Sequence, residues 1–231
     1  MSGVGKYNAA KLALKLVKDG IVLGIGSGST VEIFLNLLGE RIKKEEITVY
    51  GFPSSYQSHI LAVKNGLKVV DFFEYDEADL CIDGADQVDP KLNCIKGGGA
   101  AMTREKIIAC ASKKVIIIVD EGKLSERLTV PLPVEILPFA YGYVVKRIRE
   151  LGSREIKLRI GTKKFGPIIT DNGNFILDCH FKELDNVKKL EKEINSIPGV
   201  VENGIFPSDI VDLVIVGHEN GASSLGSHKH V

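Results

Sequence analysis

IVLGIGSGST, residues 21–30, decides the fold. Ile21 to Ile25 form a short, uninterrupted apolar run, the pattern of a strand buried on both faces of a parallel sheet covered by helices. Gly26, Ser27, Gly28, Ser29 and Thr30 then turn into a helix that opens VEIFLNLL. Two readings of the loop stand side by side. Its backbone N–H groups and hydroxyls could meet a phosphate at a helix N-terminus, or Ser29 or Thr30 could cap a tight strand-to-helix turn.

Outward from this stretch the alternation repeats. Residues 7–18 spread Ala10, Leu12, Ala13, Leu14, Leu16 and Val17 over one stripe with lysines between, which predicts an amphipathic helix ending at Asp19-Gly20. ITVYGFPSS (47–55) reads as a second strand, a helix through Leu61 to Lys64 stops at Asn65-Gly66, and LKVVDF is a third strand. Ala78 to Ile82 reads as a buried strand with Asp83, Gly84, Ala85 and Asp86 at its carboxyl end, and Asp89-Pro90 closes the turn. Two carboxylates three apart could bind a metal, hold an Asx turn, or act as acid and base on a substrate hydroxyl; the absence of a nearby histidine argues against the metal.

KGGGAAMTRE (96–105) joins a cation, Lys96, to Gly97, Gly98 and Gly99 and places Glu105 in the helix that follows. Three glycines free backbone N–H groups for an anion at a helix start. Ala101, Met102, Ile108 and Ala109 occupy the positions three and four residues from Glu105, so no lysine or arginine on the helix pairs with it. Glu105 is therefore either a surface residue between Arg104 and Lys106 or a candidate base. Val115 to Val119 is the most apolar strand, and Asp120, Glu121 and Lys123 begin where it stops. Four junctions, at 26–30, 83–86, 96–99 and 120–123, thus deliver polar or glycine residues to one edge, where open α/β sheets bind ligands.

From residue 131 the pattern changes. PLPVEILP (131–138) reads as an edge strand and a boundary. A helix over 140–151, a strand over 155–160, a strand pair turning at Asp171-Asn172-Gly173-Asn174, a helix over 185–195 and a strand over 200–206 complete a β-α-β-β-α-β order. The fold expected is α/β. A Rossmann-like, mostly parallel sheet flanked by helices (1–130 and 207–231, with IVDLVIVG at 210–217 as a further strand) carries an inserted ferredoxin-like α+β domain over 131–206. The tail from His218 reads as loop, with metal binding by His228 and His230 as an alternative.

The 231 residues carry 30 Lys+Arg against 30 Asp+Glu, so the net charge is zero and no electrostatic pull toward nucleic acid or an anionic membrane exists. Near-neutral chains associate, so a homo-oligomer is expected. The four cysteines form no CxxC pair and sit in apolar contexts, the pattern of reduced thiols in a cytoplasmic protein. No signal-peptide pattern and no apolar run of membrane-spanning length is visible. Gly24, Gly26 and Gly28 fall short of a dinucleotide fingerprint, because position 29 is serine and Tyr50, Gly51 and Phe52 offer no acid to a ribose hydroxyl.

GIGSGST, DGAD, KGGGAAMTREKIIA and DEGK, followed by LPVEILP and TDNGN, together resemble type A ribose-5-phosphate isomerase over nearly the whole chain. The resemblance implies a Rossmann-like domain with a ferredoxin-like insertion serving oligomerisation as a homodimer or homotetramer. It implies aldose–ketose isomerisation of ribose 5-phosphate and ribulose 5-phosphate through an enediolate, with a small sugar phosphate as partner and no cofactor or metal. By motif match, Glu105 is the base. Lys96 steadies the enediolate, and Asp83 with Asp86 assists ring opening. Ser27, Gly28, Ser29, Thr30, Gly84, Ala85, Gly97, Gly98, Gly99 and Lys123 bind substrate, with Lys6 near the phosphate. Gln87, Tyr141 and the basic segment KLRIGTKKFG (157–166) depart from the family pattern, and none of them touches the proton-transfer set as the resemblance draws it. A sugar-phosphate sensor would need a helix-turn-helix or basic stripe to act on nucleic acid, and neither is present. An aminosugar deaminase would share the enediol chemistry without matching all four strings.

Overall fold

The computed structural model describes every residue except 1, 164, 183, 185 and 227–231, so His228 and His230 lie outside the described residues. The elements run α1 (Ser2–Ala13), β1 (Val22–Ile25), α2 (Ser29–Glu45), β2 (Tyr50–Pro53), α3 (Tyr56–Lys64), β3 (Lys68–Val69), β4 (Leu80–Asp83), β5 (Gln87–Val88), β6 (Cys94–Ile95), α4 (Met102–Cys110) and β7 (Val115–Asp120). They continue with β8 (Leu132–Ile136), α5 (Tyr141–Glu150), β9 (Glu155–Leu158), β10 (Phe175–His180), α6 (Val187–Asn195), β11 (Val200–Asn203), β12 (Ile205–Phe206), β13 (Leu213–His218) and β14 (Gly221–Leu225).

The chain forms two compact units, and the first takes Met1–Ala85, Arg104–Leu124 and Ser208–Val231. Its sheet has the order β14-β13-β7-β4-β1-β2-β3. Every neighbouring pair is parallel except the edge pair β13–β14. Numbered within this sheet, the parallel strands run 3-2-1-4-5-6, the doubly wound arrangement, in which ligands bind beyond the carboxyl ends of the strands. The apolar runs that predict strands are buried throughout β1 and β4 and along β7 as far as Val119. Ala9, Ala10 and Ala13 of α1 and Phe34, Leu35 and Leu38 of α2 pack with Leu23, Ile25, Ile82 and Ile118 of the sheet.

Helix α1 begins five residues before the predicted start, and a 3₁₀ turn at Leu14–Leu16 replaces its last turn. Gly3 and Gly5 disfavour a helix by propensity, but the lack of a side chain at Gly5 brings its backbone against β13. A Cβ placed on Gly217 would lie 1.8 Å from the Gly5 carbonyl oxygen. The polar tail, expected as loop, instead forms β14. His218 pairs with Gly221 across the Glu219-Asn220 turn, and Gly221 takes φ +146. The serines of this edge strand hid it from hydrophobic periodicity.

The second unit takes Asp86–Thr103 and Ser125–Pro207. Its four-stranded sheet, β11-β8-β10-β9, is antiparallel, which is the 4-1-3-2 order of a split β-α-β-β-α-β fold. Helices α5 and α6 bury Val144, Ile148, Val187 and Ile194 with Leu132, Val134, Ile136 and Leu177 of the sheet. PLPVEILP is not the edge strand its prolines predict: β8 lies between β11 and β10. The Pro133 carbonyl accepts from Gly204 N–H at 2.8 Å, just past the end of β11, so the N–H that proline lacks would have faced a place where the partner strand has stopped. This unit is larger than residues 131–206, because β12 pairs with β6 and β6 with β5 in a three-stranded sheet that draws 86–103 into it.

Cys81, Cys94 and Cys179 are buried and Cys110 is exposed; burial pushes the Cys179 thiol well above the usual range. Native protein titrated with an aromatic disulfide is expected to release one fast equivalent of thiol, which Cys110→Ser removes. Gly217→Ala, forced against the α1 backbone, is expected to lower unfolding stability by about 1–3 kcal/mol in a urea titration.

Candidate active site

In the first unit the carboxyl ends of β1, β4 and β7 carry the polar groups. Gly26 continues the ladder by donating to the Ile82 carbonyl at 2.9 Å, and a Cβ on it would lie 1.7 Å from Asp83 Oδ1. Only glycine lets the Asp83 carboxylate come this close to the β1 loop. Asp83 is 2% exposed, and its Oδ1 accepts from Ser27 N–H at 3.2 Å and Gly84 N–H at 2.7 Å. The Ser27 hydroxyl donates to Glu105 Oε1 at 2.5 Å, the length of a charge-assisted O–H···O⁻ bond. Glu105 is 4% exposed, so the reading of it as a surface residue between Arg104 and Lys106 is overturned.

Helix α2 starts without a side-chain cap: Gly28, at φ +93, is the N-cap residue, and Ser29 and Thr30 open the helix. The alternative in which Ser29 or Thr30 caps the turn therefore fails, and their hydroxyls are not used for capping. Lys6 Nζ donates to Ser29 Oγ at 3.0 Å, which brings a cation to this loop. Lys123 ends the 3₁₀ turn Glu121–Lys123 after β7, where the Asp120 side chain accepts from Gly122 N–H at 3.1 Å. His218, read as part of a loop, bridges Glu121 and Ser223 at 2.9 Å each.

In the second unit, Asp86 and the glycine loop are joined by a hydrogen bond. Asp86 N–H donates to the Ile95 carbonyl at 2.8 Å, and Asp86 Oδ2 accepts from Gly98 N–H at 2.7 Å. The Gly98 amide, one of the three offered to an anion by the sequence, is thus committed to Asp86. Gly97 takes φ +100, and its carbonyl accepts from Ala100 N–H at 2.9 Å. Lys96 is 3% exposed, with its ammonium 5.3 Å from the centre of the Phe206 ring, a cation–π distance. The junction at 96–99 follows β6 of the three-stranded sheet, so three of the four predicted junctions, not all four, belong to the parallel sheet.

Arg159 was missed from sequence. Its Nη1 donates to the carbonyls of Gly97 and Gly98 at 2.8 and 3.1 Å, and its Nε donates to Asp178 Oδ2 at 2.9 Å. The basic segment 157–166 therefore does touch the glycine loop. The only signal was one arginine among several cations. Among the described residues no three His, Cys, Asp or Glu side chains gather as metal ligands.

The first unit is thus a doubly wound α/β domain with a serine-linked pair of buried carboxylates beyond the carboxyl ends of its strands. The chain belongs to the ribose 5-phosphate isomerase A (phosphoriboisomerase A) family, whose model matches residues 50–221. It is 63% identical over 227 residues to the ribose-5-phosphate isomerase A of Archaeoglobus fulgidus, covering 97% of this chain and 100% of that protein. The structure of ribose 5-phosphate isomerase A from Methanocaldococcus jannaschii superposes with a TM-score of 0.92 at 46% identity, over 96% of this chain and 98% of that one. A D-ribose-5-phosphate isomerase in complex with phospho-erythronic acid superposes with a TM-score of 0.95 at 44% identity, over 98% of this chain and 100% of that one.

Arg159→Ala removes two hydrogen bonds from the glycine loop, each contributing about 1 kcal/mol. Hydrogen–deuterium exchange of residues 96–100, followed by mass spectrometry, is expected to speed up by about tenfold or more.

Proposed function

We propose that this chain interconverts D-ribose 5-phosphate and D-ribulose 5-phosphate through a cis-enediolate, in the non-oxidative branch of the pentose phosphate pathway. The observation that carries the reading is the buried Glu105 carboxylate held by the Ser27 hydroxyl, in a chain of the ribose 5-phosphate isomerase A family. In the open-chain aldose, Glu105 takes the C2 proton. The C–H electron pair becomes the C1=C2 double bond, and O1 takes the negative charge. Transfer of the hydroxyl proton from O2 to O1, then return of the Glu105 proton to C1, gives the ketose.

The buried Lys96 ammonium suits the developing enediolate oxygen, because a fixed cation favours that charge over the neutral carbonyl. Asp83, with Asp86, is assigned the ring hydroxyl proton during opening. The phosphate is assigned to Ser27, Gly28, Ser29 and Thr30 with Lys6 or Lys123, and the sugar to Gly84, Ala85, Gly97, Gly98 and Gly99. The Lys6–Ser29 contact supports the first part of this assignment. Phospho-erythronic acid, bound by a structural relative, joins a phosphate to a carboxylate. A carboxylate next to a hydroxyl-bearing carbon has the charge of an enediolate at the same place. These proton transfers call on no metal or redox cofactor. The zero net charge supports self-association and the reduced cysteines a cytoplasmic location, while the family resemblance supports a homodimer or homotetramer assembled through the ferredoxin-like insertion.

Incubation with ribose 5-phosphate in deuterated water is expected to yield ribulose 5-phosphate with deuterium on carbon, read by mass spectrometry; unchanged sugar removes the activity. Glu105→Gln is expected to lower kcat by about 10²–10⁴-fold with KM within a few-fold. Parental turnover would take Glu105 out of the base role.

A further inference from the structure

LPVEILP and TDNGN have no chemistry in the mechanism above, yet they meet at one buried side chain. Glu135, in the middle of β8, is 0% exposed. Its Oε1 accepts from Thr170 Oγ1 at 2.8 Å, Asn172 Nδ2 at 3.0 Å and Asn174 Nδ2 at 2.8 Å, all from the turn before β10. Its Oε2 accepts from the hydroxyl of Thr103. Thr170 also builds the turn, because its Oγ1 accepts from Asn172 N–H at 3.2 Å and Asn174 N–H at 3.1 Å.

Thr103 is the second residue of α4 and Glu105 the fourth. Along a helix that separation is about 3 Å of rise, so a grip on Thr103 fixes the axial position and rotation of Glu105. A leucine at 135 would fill similar space without the cost of burying a carboxylate. What the carboxylate contributes is geometry, with one acceptor atom for the turn and one for the helix. We infer that Glu135 and Thr103 are positioning residues for the isomerisation: the buried carboxylate clasps the first turn of α4 and sets where the Glu105 carboxylate points. The inference rests on Glu105 being the base.

The test is a set of variants measured for kcat, KM and melting temperature in both the parent and the Glu105→Gln protein. Thr103→Val is expected to lower kcat about tenfold with KM within twofold, since misplacing a catalytic group by 1 Å costs about a hundredfold and a partial slip less. Thr103→Ser, which keeps the hydroxyl, is expected to restore kcat to within threefold of the parent. In the Glu105→Gln background, Thr103→Val is expected to cause no further loss, because residues acting through one another are not additive. A folded Thr103→Val with parental kcat, or one that loses as much again in the Glu105→Gln background, overturns the inference, as does failure of Thr103→Ser to rescue. Should Thr103→Val not fold, Asn172→Ala at the exposed side of the turn decides instead. A two- to threefold fall in kcat at constant KM, absent in the Glu105→Gln background, supports the clasp, and parental kcat overturns it. Parental turnover in Glu105→Gln itself would remove the base reading and this inference together. Loss in Glu105→Gln beside parental Thr103→Val removes this inference alone.

Discussion

Two carboxylates buried a loop apart are the constraint on which the first unit turns, and Ser27 meets it with two hydrogen bonds. Its backbone N–H serves Asp83 and its hydroxyl serves Glu105. A buried carboxylate without donors costs several kcal/mol; Gly84 N–H also serves Asp83, and Ser27 is the residue that serves both carboxylates. Three features hold it. Parallel pairing of β1 with β4 sets Ile25 beside Ile82, one residue before Asp83. Gly26 leaves the room that any Cβ would take from the Asp83 carboxylate. Helix α4 carries Glu105 on a buried face between Met102 and Ile108.

The glycine loop of the second unit is fixed by its own neighbours. Asp86 takes the Gly98 amide, and Arg159 takes the carbonyls of Gly97 and Gly98 while Asp178 holds Arg159. A run of three glycines has the largest conformational entropy to lose on folding. Hydrogen bonds to both sides of its backbone offset that loss without adding side chains to the loop. Lys96 lies on the Phe206 ring, a surface that tolerates a cation better than an aliphatic wall would.

What was legible in the sequence follows from the range of the interactions involved. β1, β4 and β7 declare themselves because a doubly buried strand is a continuous apolar run, and the candidate site residues after them because polarity returns abruptly at the strand end. The split β-α-β-β-α-β order was legible from its punctuation, the Asp171-Asn172-Gly173-Asn174 and Pro198-Gly199 turns between the periodic segments. α1 began early because the Gly5 contact with Gly217 overrode a poor helix propensity, and β14 was hidden because an edge strand needs no apolar face. Glu135, Thr103 and Arg159 were not legible. Glu135 meets Thr103 across 32 residues and Arg159 meets Gly97 across 62, and no local pattern marks a residue whose meaning is set by a distant one.

These distant partnerships change what the insertion is. Residues 86–103 run from the end of β4 into the first turn of α4, yet their sheet partner is β12 and their loop is held by Arg159. Removing 131–206 would leave β6 without its β12 neighbour, the glycine loop without its arginine, and Thr103 without Glu135. The ferredoxin-like segment is therefore not a module appended to a finished α/β enzyme. It supplies hydrogen-bond partners to the Lys-Gly-Gly-Gly loop through Arg159 and to the start of α4 through Glu135.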